Sequence, residues 1–266
     1  MRQPHGQNFL TDRFMAARIV EAADIGPGDT VLEIGPGRGI LTEELVKVSS
    51  NLTCIEIDSE LALKLRAKFQ NLSNVKIINQ DFLKFDFASL EGSSGKKIKI
   101  VANLPYNVAT AIVEKVIPCN NWESAVLMVQ KEAALRVLAA PGAGEYGYFS
   151  VFCSYYCESR KLFNVDPGAF YPKPKVDSTV IKLTNIFPPA APPGLFELVK
   201  SAFSQRRKTI LNSISSSLSC PKQEVALILE RSAINPSLRP ERLNLSEYKS
   251  LTLLLGKYII PKGKTA

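Results

Sequence analysis

The most informative stretch near the N-terminus is Val31-Leu32-Glu33-Ile34-Gly35-Pro36-Gly37-Arg38-Gly39. An apolar run leads directly into three closely spaced glycines, which is typical of a buried strand that turns sharply into a helix. Because glycine has no Cβ, the chain can bend tightly there and its N–H groups can approach a bound nucleotide-like molecule. For any one of these glycines, a plain strand-turn-helix connection without a ligand is the alternative.

A carboxylate follows within the next predicted strand, Leu52 to Asp58. Glu56 lies about 20 residues beyond the first glycine, where its two oxygens suit the two hydroxyls of a ribose. Asp58 competes with it for that role. The glycine spacing differs from the dinucleotide fingerprint, and Pro36 removes an N–H donor that a pyrophosphate would need. We therefore favour a nucleoside cofactor without phosphates over NAD.

Strands and helices alternate through the first half of the chain, which predicts an α/β fold with a parallel sheet flanked by helices on both faces. Four polar or glycine positions fall at the ends of successive predicted strands: Gly35, Glu56, Asp81 and Asn103. Ligands bind at the carboxyl ends of strands in such sheets. The convergence of these four positions predicts one binding site there.

The composition predicts a soluble protein with a large core, since 45% of its 266 residues are hydrophobic. We find no apolar run long enough to span a membrane and no signal-peptide pattern. Five scattered cysteines and a single histidine indicate reduced thiols, a cytoplasmic location and no metal site.

Positive charge is concentrated toward the C-terminus. The formal net charge is +8, and from Pro192 onward twelve Lys and Arg residues stand against five Asp and Glu. This asymmetry favours a polyanionic partner, with a solvated basic helix surface as the alternative. A proline-rich linker, Phe187 to Gly194, precedes a helical pattern. The sequence therefore predicts two domains, residues 1–186 and a small all-α, basic domain, residues 187–266.

The tetrapeptide Asn103-Leu104-Pro105-Tyr106 suggests a particular chemistry. The exocyclic amine of adenine is a poor nucleophile, because its lone pair is delocalised into the ring. An Asn side-chain oxygen and a backbone carbonyl held by the following proline can accept both N–H groups and orient the amine for attack on a methyl carbon. Tyr106 can stack on the base. A strand-end turn without a catalytic role is the alternative.

Taken together, these motifs resemble those of the ribosomal RNA adenine dimethyltransferases, in the order found in that family. The stretches that carry the resemblance are Gly6-Gln7-Asn8-Phe9-Leu10, Glu33-Ile34-Gly35-Pro36-Gly37, Asn103-Leu104-Pro105-Tyr106, Gln130-Lys131-Glu132, Phe170 to Ser178, and Phe203-Ser204-Gln205-Arg206-Arg207-Lys208. The resemblance implies a Rossmann-like class I methyltransferase sheet, S-adenosylmethionine as cofactor, and N6,N6-dimethylation of two adjacent adenosines near the 3′ end of small-subunit rRNA.

The resemblance also implies roles for individual residues in cofactor binding. Asn8 and Leu10 would cover the cofactor. Gly35, with Gly37 beside it, would approach the amino-acid part of the cofactor. Glu56 would bind its ribose and Asp81 its adenine amine.

For the target base and the RNA, the same resemblance implies a second set of roles. Asn103 would touch both the cofactor and the target base, and with Leu104 and Pro105 it would orient the target amine. Tyr106 and Phe170 would sandwich the everted adenine, although Phe170 has a second interpretation as a core anchor. Arg206, Arg207 and Lys208 would contact the RNA backbone. The implied enzyme is a monomer that acts on rRNA or on a partly assembled subunit.

Two alternatives to this function remain, and the sequence departs from the pattern of the family at two places. A resistance-type large-subunit rRNA adenine methyltransferase would share the site chemistry, and a nucleic-acid-binding factor could keep the fold without catalysis. The stretch Phe170 to Ser178, together with Gln205-Arg206-Arg207-Lys208, favours the small-subunit enzyme. Catalysis is favoured by the presence of Glu56, Asp81, Asn103, Pro105 and Tyr106. Only Arg2 supplies a positive side chain before Gly6, and Tyr148 stands where the family frequently has arginine, which weakens predicted RNA contacts at both places.

Overall fold

The computed structural model describes residues 8–205 and 207–259, which divide into two compact units. The first contains residues 8–134 and 157–186, and the second contains residues 135–156 and those from 187 onward. The chain passes from the first unit to the second between residues 186 and 187, which is the domain boundary expected from the linker. The second unit also includes residues 135–156, which the sequence analysis assigns to the first domain.

A large and a small β-sheet belong to the first unit. In chain order the strands are β1 (Phe9–Leu10), β2 (Thr30–Ile34), β3 (Asn51–Glu56), β4 (Val75–Asn79), β5 (Ile98–Asn103), β6 (Trp122–Gln130), β7 (Cys157–Val165), β8 (Phe170–Tyr171) and β9 (Ser178–Asn185). The order in the seven-stranded sheet is β4-β3-β2-β5-β6-β9-β7, and β1 pairs separately with β8.

The large sheet is mixed, which corrects the expectation of a parallel sheet. Strands β2 to β6 run parallel, whereas β9 pairs antiparallel with both β6 and β7. A parallel strand needs a crossover connection, usually a helix. Residues 166–177, which join β7 to β9, contain a short 3-10 helix and β8 in place of an α-helix, so β9 returns antiparallel.

Helices follow the strands as the alternation predicts. Those in the first half of the chain are α1 (Arg13–Ala22), α2 (Ile40–Val48), α3 (Ser59–Phe69), α4 (Ala109–Val116) and α5 (Lys131–Leu138). Asp12 caps α1, because its carboxylate accepts the Met15 N–H at 3.0 Å. Val31, Val101 and Val126 of the sheet share one buried cluster with apolar residues of α1 and α2, which fixes the carboxyl ends of the strands.

The described part of the second unit is helical. Its helices, besides the end of α5, are α6 (Tyr148–Tyr156), α7 (Leu195–Phe203), α8 (Ile210–Leu218), α9 (Lys222–Arg231) and α10 (Leu245–Leu255). Leu198, Ile214 and Leu251 are fully buried in its core. The linker 187–194 contains no helix or strand. Among the residues that the structure describes, no helix has the length and apolar character needed to cross a membrane.

Candidate active site

A pocket of about 730 Å³, open solvent included, lies where β2, β3 and β5 end. Four separate stretches of the first unit contribute to its wall. The lining residues are Asn8, Phe9, Leu10, Gly35, Pro36, Gly37, Arg38, Ile40, Leu41, Glu56, Ile57, Asn103, Leu104, Pro105 and Tyr106. The structure thus brings together the glycine turn, the carboxylate and the Asn-Leu-Pro-Tyr turn at one site.

The glycine turn presents bare backbone to this pocket. Gly35 has a φ of +67°, a conformation that side chains rarely adopt, and a Cβ built there would point into space with no atom within 4 Å. Gly37 has a φ of +60°, and the ring of Phe9 would lie 3.1 Å from an added Cβ. A ligand can therefore approach the backbone at Gly35, while Phe9 covers the turn at Gly37.

Glu56 faces the glycine turn and is held by two backbone donors. Its carboxylate accepts the Gly37 N–H at 2.9 Å through Oε2 and the Asp58 N–H at 2.9 Å through Oε1. The side chain is buried, at 2% exposure, yet it lines the pocket. Because a carboxylate has about four lone-pair sites, acceptor capacity remains for two hydroxyl groups.

Two other predicted carboxylates occupy different positions. Asp58 caps α3, where its Oδ1 accepts the N–H groups of Glu60 at 2.9 Å and Leu61 at 3.1 Å. Asp81 follows β4, and its Oδ1 accepts the Leu83 N–H at 2.9 Å. Neither belongs to the lining of the pocket. The geometry therefore favours Glu56 over Asp58 as the ribose acceptor, and it does not place Asp81 at the pocket.

The Asn103-Leu104-Pro105-Tyr106 turn is fixed at both ends. The Leu104 N–H donates to the Met128 carbonyl at 3.0 Å, and the Pro105 carbonyl accepts the Ala109 N–H at 3.0 Å where α4 begins. The hydroxyl of Tyr106 shares a hydrogen bond of 2.7 Å with that of Ser178. The turn is thus tied to β6, α4 and β9, and all four of its residues line the pocket.

The two predicted stacking rings lie in different environments. Tyr106 lines the pocket. Phe170 is only 4% exposed, packs in the buried cluster of the first unit and is not part of the pocket lining. Its burial supports the interpretation as a core anchor. Phe9 is a second ring at the pocket, and the Arg38 guanidinium lies 4.5 Å from its centroid.

Glu33 lies buried just before the glycine turn. It is 1% exposed, and its Oε2 accepts hydrogen bonds from the Thr42 hydroxyl at 2.7 Å and the Cys54 thiol at 3.4 Å. Its Oε1 has no hydrogen-bond partner among the described residues. Burial raises the pKa of the Glu33 carboxyl to about 7, because the charged form loses its hydration.

This raised pKa predicts a loss of stability as the pH rises. The folded protein holds the Glu33 proton up to about pH 7, whereas the unfolded chain releases it near pH 4.5. Glu33 should therefore lower the free energy of unfolding by about 2–3 kcal/mol between pH 5 and pH 8. Urea unfolding of the cofactor-free protein at both pH values measures this. The Glu33→Gln variant lacks the titration, so parallel pH profiles for the two proteins would contradict the expectation.

The predicted RNA contacts lie in the second unit. Arg207 and Lys208 are exposed after α7, and Arg206 lies outside the described residues. Lys208 and Lys222 line one shallow polar depression together with Asn212, Ser215 and Ser216 of α8. Two cations and several hydrogen-bonding groups at one surface are suited to a phosphate group.

The architecture defines the class of protein. The structure aligns with the crystal structure of a dimethyladenosine transferase from Plasmodium falciparum, with a TM-score of 0.79, 26% identity, and 94% of this chain and 98% of that chain covered. It also aligns with the crystal structure of the 23S rRNA methyltransferase ErmE, with a TM-score of 0.69, 29% identity, and 94% and 100% of the two chains covered. The fold is that of the Rossmann-like methyltransferases.

Sequence comparison narrows the class to a family. The model of the ribosomal RNA adenine dimethylase family matches residues 1–254. The "Ribosomal RNA small subunit methyltransferase A" of Alkaliphilus metalliredigens is 43% identical over 258 residues, covering 93% of this chain and 89% of that protein. The chain belongs to the ribosomal RNA adenine dimethylase family. The resemblance drawn from the sequence motifs is confirmed.

Phe9, Arg38 and Ser178 lie at or next to the pocket and received no role from the sequence motifs. Phe9 and Arg38 line it, and Ser178 contacts Tyr106. Phe9 stands between the predicted contacts Asn8 and Leu10, so its position within that motif could have indicated that it lies at the pocket. Nothing local distinguishes Arg38 from an ordinary exposed turn residue.

Proposed function

We propose that this protein transfers methyl groups from S-adenosylmethionine to the N6 amines of two adjacent adenosines near the 3′ end of small-subunit rRNA, giving N6,N6-dimethyladenosine. The main observation in support of this proposal is that Glu56 and the Asn103-Leu104-Pro105-Tyr106 turn line the same pocket. A nucleoside-binding carboxylate and an acceptor pair for an aromatic amine are thereby adjacent. Membership of the ribosomal RNA adenine dimethylase family supports the same activity.

The pocket fits S-adenosylmethionine. The open space at Gly35 accommodates a ligand lying against the backbone, and the Glu56 carboxylate is positioned to accept both ribose hydroxyls. Pro36 leaves the turn without one of the donors that a pyrophosphate would use. When bound, S-adenosylmethionine supplies an electrophilic methyl carbon on a sulfonium centre. Asn8 and Leu10, which line the pocket beside Phe9, would cover the cofactor and exclude water.

The Asn-Leu-Pro-Tyr turn orients the nucleophile. The Asn103 side-chain oxygen and the Leu104 carbonyl would accept the two N–H groups of the target amine, which holds the nitrogen lone pair toward the methyl carbon. Tyr106 would stack on the everted base. The proton released on methylation passes to solvent, and the geometry requires no titrating side chain for this step. Asp81 is not among the residues that line the pocket, so its implied contact with the adenine amine of the cofactor stays a prediction.

Two observations separate this function from its rivals. The small-subunit enzyme of Alkaliphilus metalliredigens is 43% identical over 93% of this chain, and the dimethyladenosine transferase superposes with a higher TM-score than the 23S rRNA methyltransferase ErmE, 0.79 against 0.69. This difference supports the small-subunit target over the large-subunit one. A purely nucleic-acid-binding factor would have no need for the acceptor turn and the Glu56 carboxylate in one pocket, which supports catalysis.

Mass spectrometry of small-subunit rRNA tests the assignment. Cells that lack the protein should lose dimethyladenosine, and the wild-type gene should restore it. A gene encoding Asn103→Ala supplies the matched control, because it leaves the rest of the chain in place. Equal modification with and without the protein would refute the proposed function, and modification of large-subunit rRNA alone would select the rival enzyme.

We further propose that the second unit binds RNA backbone and that the enzyme acts as a cytoplasmic monomer. From Pro192 onward the chain has twelve basic and five acidic residues, and this excess of positive charge supports the RNA contact. The substrate is rRNA or a partly assembled small subunit. The four stretches that line the pocket provide the residues for both proposed binding roles, which is consistent with activity of a single chain.

Charge reversal of Arg207 and Lys208 should flatten the salt dependence of RNA binding. Each phosphate contact that is lost reduces the slope of log affinity against log salt by about 0.7–0.9. Binding titrations over a range of salt concentrations measure the slope. Reversal of Lys76 and Lys84, two exposed lysines of the first unit, changes the net charge equally and serves as control. Equal slopes for the two double variants would show that Arg207 and Lys208 do not contact phosphate.

A further inference from the structure

We propose that Ser178 is a positioning residue for the target base, acting through Tyr106. The inference rests on the proposed function, in which Tyr106 stacks on the everted adenine. Ser178 ends the Phe170 to Ser178 stretch, whose first residue is buried in the core. Its first two residues pair with Leu10 and Phe9 of the pocket wall, and its last residue contacts the wall through the Tyr106–Ser178 hydrogen bond.

The contact fixes the far end of the Tyr106 ring. The two hydroxyl oxygens are 2.7 Å apart, which is the usual distance for an O–H···O hydrogen bond. A tyrosine ring attached only at its Cβ can rotate about two side-chain torsions. A hydrogen bond at its hydroxyl fixes the position of the oxygen and therefore the first torsion. Because a phenolic hydroxyl prefers to form its hydrogen bond in the plane of the ring, the same bond also favours one orientation of the ring before a base arrives. This preorganisation is what a stacking surface needs.

Ser178 is itself held rigidly. It is fully buried, and as the first residue of β9 it pairs with Gln130 of β6 and Val165 of β7. The preceding carbonyl, that of Asp177, accepts the Lys131 N–H at 3.0 Å. The serine hydroxyl is therefore fixed by strands on both sides, and it transmits that rigidity to a side chain at the pocket.

The structure also gives a reason for serine at this position. The hydroxyl is buried among strands, where a hydroxyl without a partner is costly. Its hydrogen bond to Tyr106 satisfies it and orients the ring at the same time. A serine with only a structural role at the start of β9 could form its hydrogen bond with any nearby group, and its partner would not have to be a residue that lines the pocket.

A double-mutant cycle tests the inference. The proteins are wild type, Ser178→Ala, Tyr106→Phe and the double variant, with Ser124→Ala as control because Ser124 is a buried serine on β6 that pairs with Thr184 of β9. Each single variant should lower kcat/KM for the rRNA substrate about three- to tenfold, mainly through kcat. Because both substitutions remove the same hydrogen bond, the loss of kcat/KM in the double variant should be no larger than the loss in the more impaired single variant. The Kd of S-adenosylmethionine should stay unchanged.

Three results would overturn the inference. Multiplicative losses in the double variant would show that Ser178 acts independently of Tyr106. Losses in Ser178→Ala that only follow the fraction of folded protein, as in Ser124→Ala, would make the serine purely structural. Full activity of Tyr106→Ala would remove the stacking role on which the inference depends, whereas absence of rRNA methylation by the wild-type protein would refute the proposed function itself.

Discussion

Replacement of Asn103 by alanine is expected to lower methyl transfer by about a hundredfold or more. Asn103 ends β5 and lines the pocket, and the turn that follows it is tied to β6, α4 and β9. The substitution removes one of two acceptors for the target amine while the backbone anchors remain. The fold should therefore stay intact. Single-turnover methylation of rRNA at saturating cofactor measures the loss.

The Asn103→Asp variant distinguishes the acceptor from the rest of the side chain. It keeps an oxygen where the amide oxygen stood, so it should keep more activity than Asn103→Ala. Melting temperatures of both variants close to wild type would exclude a folding defect. Near-wild-type turnover of Asn103→Ala would remove this residue from the reaction.

Glu56→Ala should weaken S-adenosylmethionine binding by about 1–3 kcal/mol, the cost of leaving polar groups unpaired in a closed site. This corresponds to a Kd about 5- to 150-fold higher. The structure adds a second reason, because the variant also removes the acceptor for the Gly37 and Asp58 N–H groups. The glycine turn would then lose the contact that holds it against the pocket. Isothermal titration calorimetry measures the change.

Asp58→Ala is the matched control for this experiment. The Asp58 side chain caps α3, so its loss should cost about 1 kcal/mol of stability and leave the cofactor affinity unchanged. The opposite pattern, with unchanged affinity in Glu56→Ala and weakened affinity in Asp58→Ala, would transfer the ribose role to Asp58.

The part of the site that could be predicted from sequence depends on local rules. A strand that ends in glycines must turn, and parallel strands that share a sheet bring their carboxyl ends together. Gly35, Glu56 and Asn103 follow from these rules alone, and all three line the pocket. Helix α4 also follows from a local signal, because its apolar residues Ile112, Val113 and Val116 repeat at helical spacing.

The remaining features depend on contacts between distant parts of the chain. Phe170 is buried because β8 pairs with β1, more than 150 residues earlier in the sequence. The helical pattern predicted after the linker gives no bounds for α8, whose four serines are unfavourable in a helix interior. In the structure the Ser213 hydroxyl donates to the Ala202 carbonyl at 2.5 Å inside the core. Partners at such distances along the chain leave no periodic signal in a single sequence.

The position of β9 in the sheet has a consequence for synthesis of the protein. Strand β7 leaves the ribosome before β9. Because β7 lies at the edge of the sheet next to β9, it cannot pair until residues 178–185 have been made. Residues 135–156, which belong to the second unit, are made before the first unit is complete. The first unit therefore closes late, through non-local pairing. A nascent chain halted before residue 178 would carry the glycine turn, Glu56 and Asn103 without the strand that anchors Tyr106.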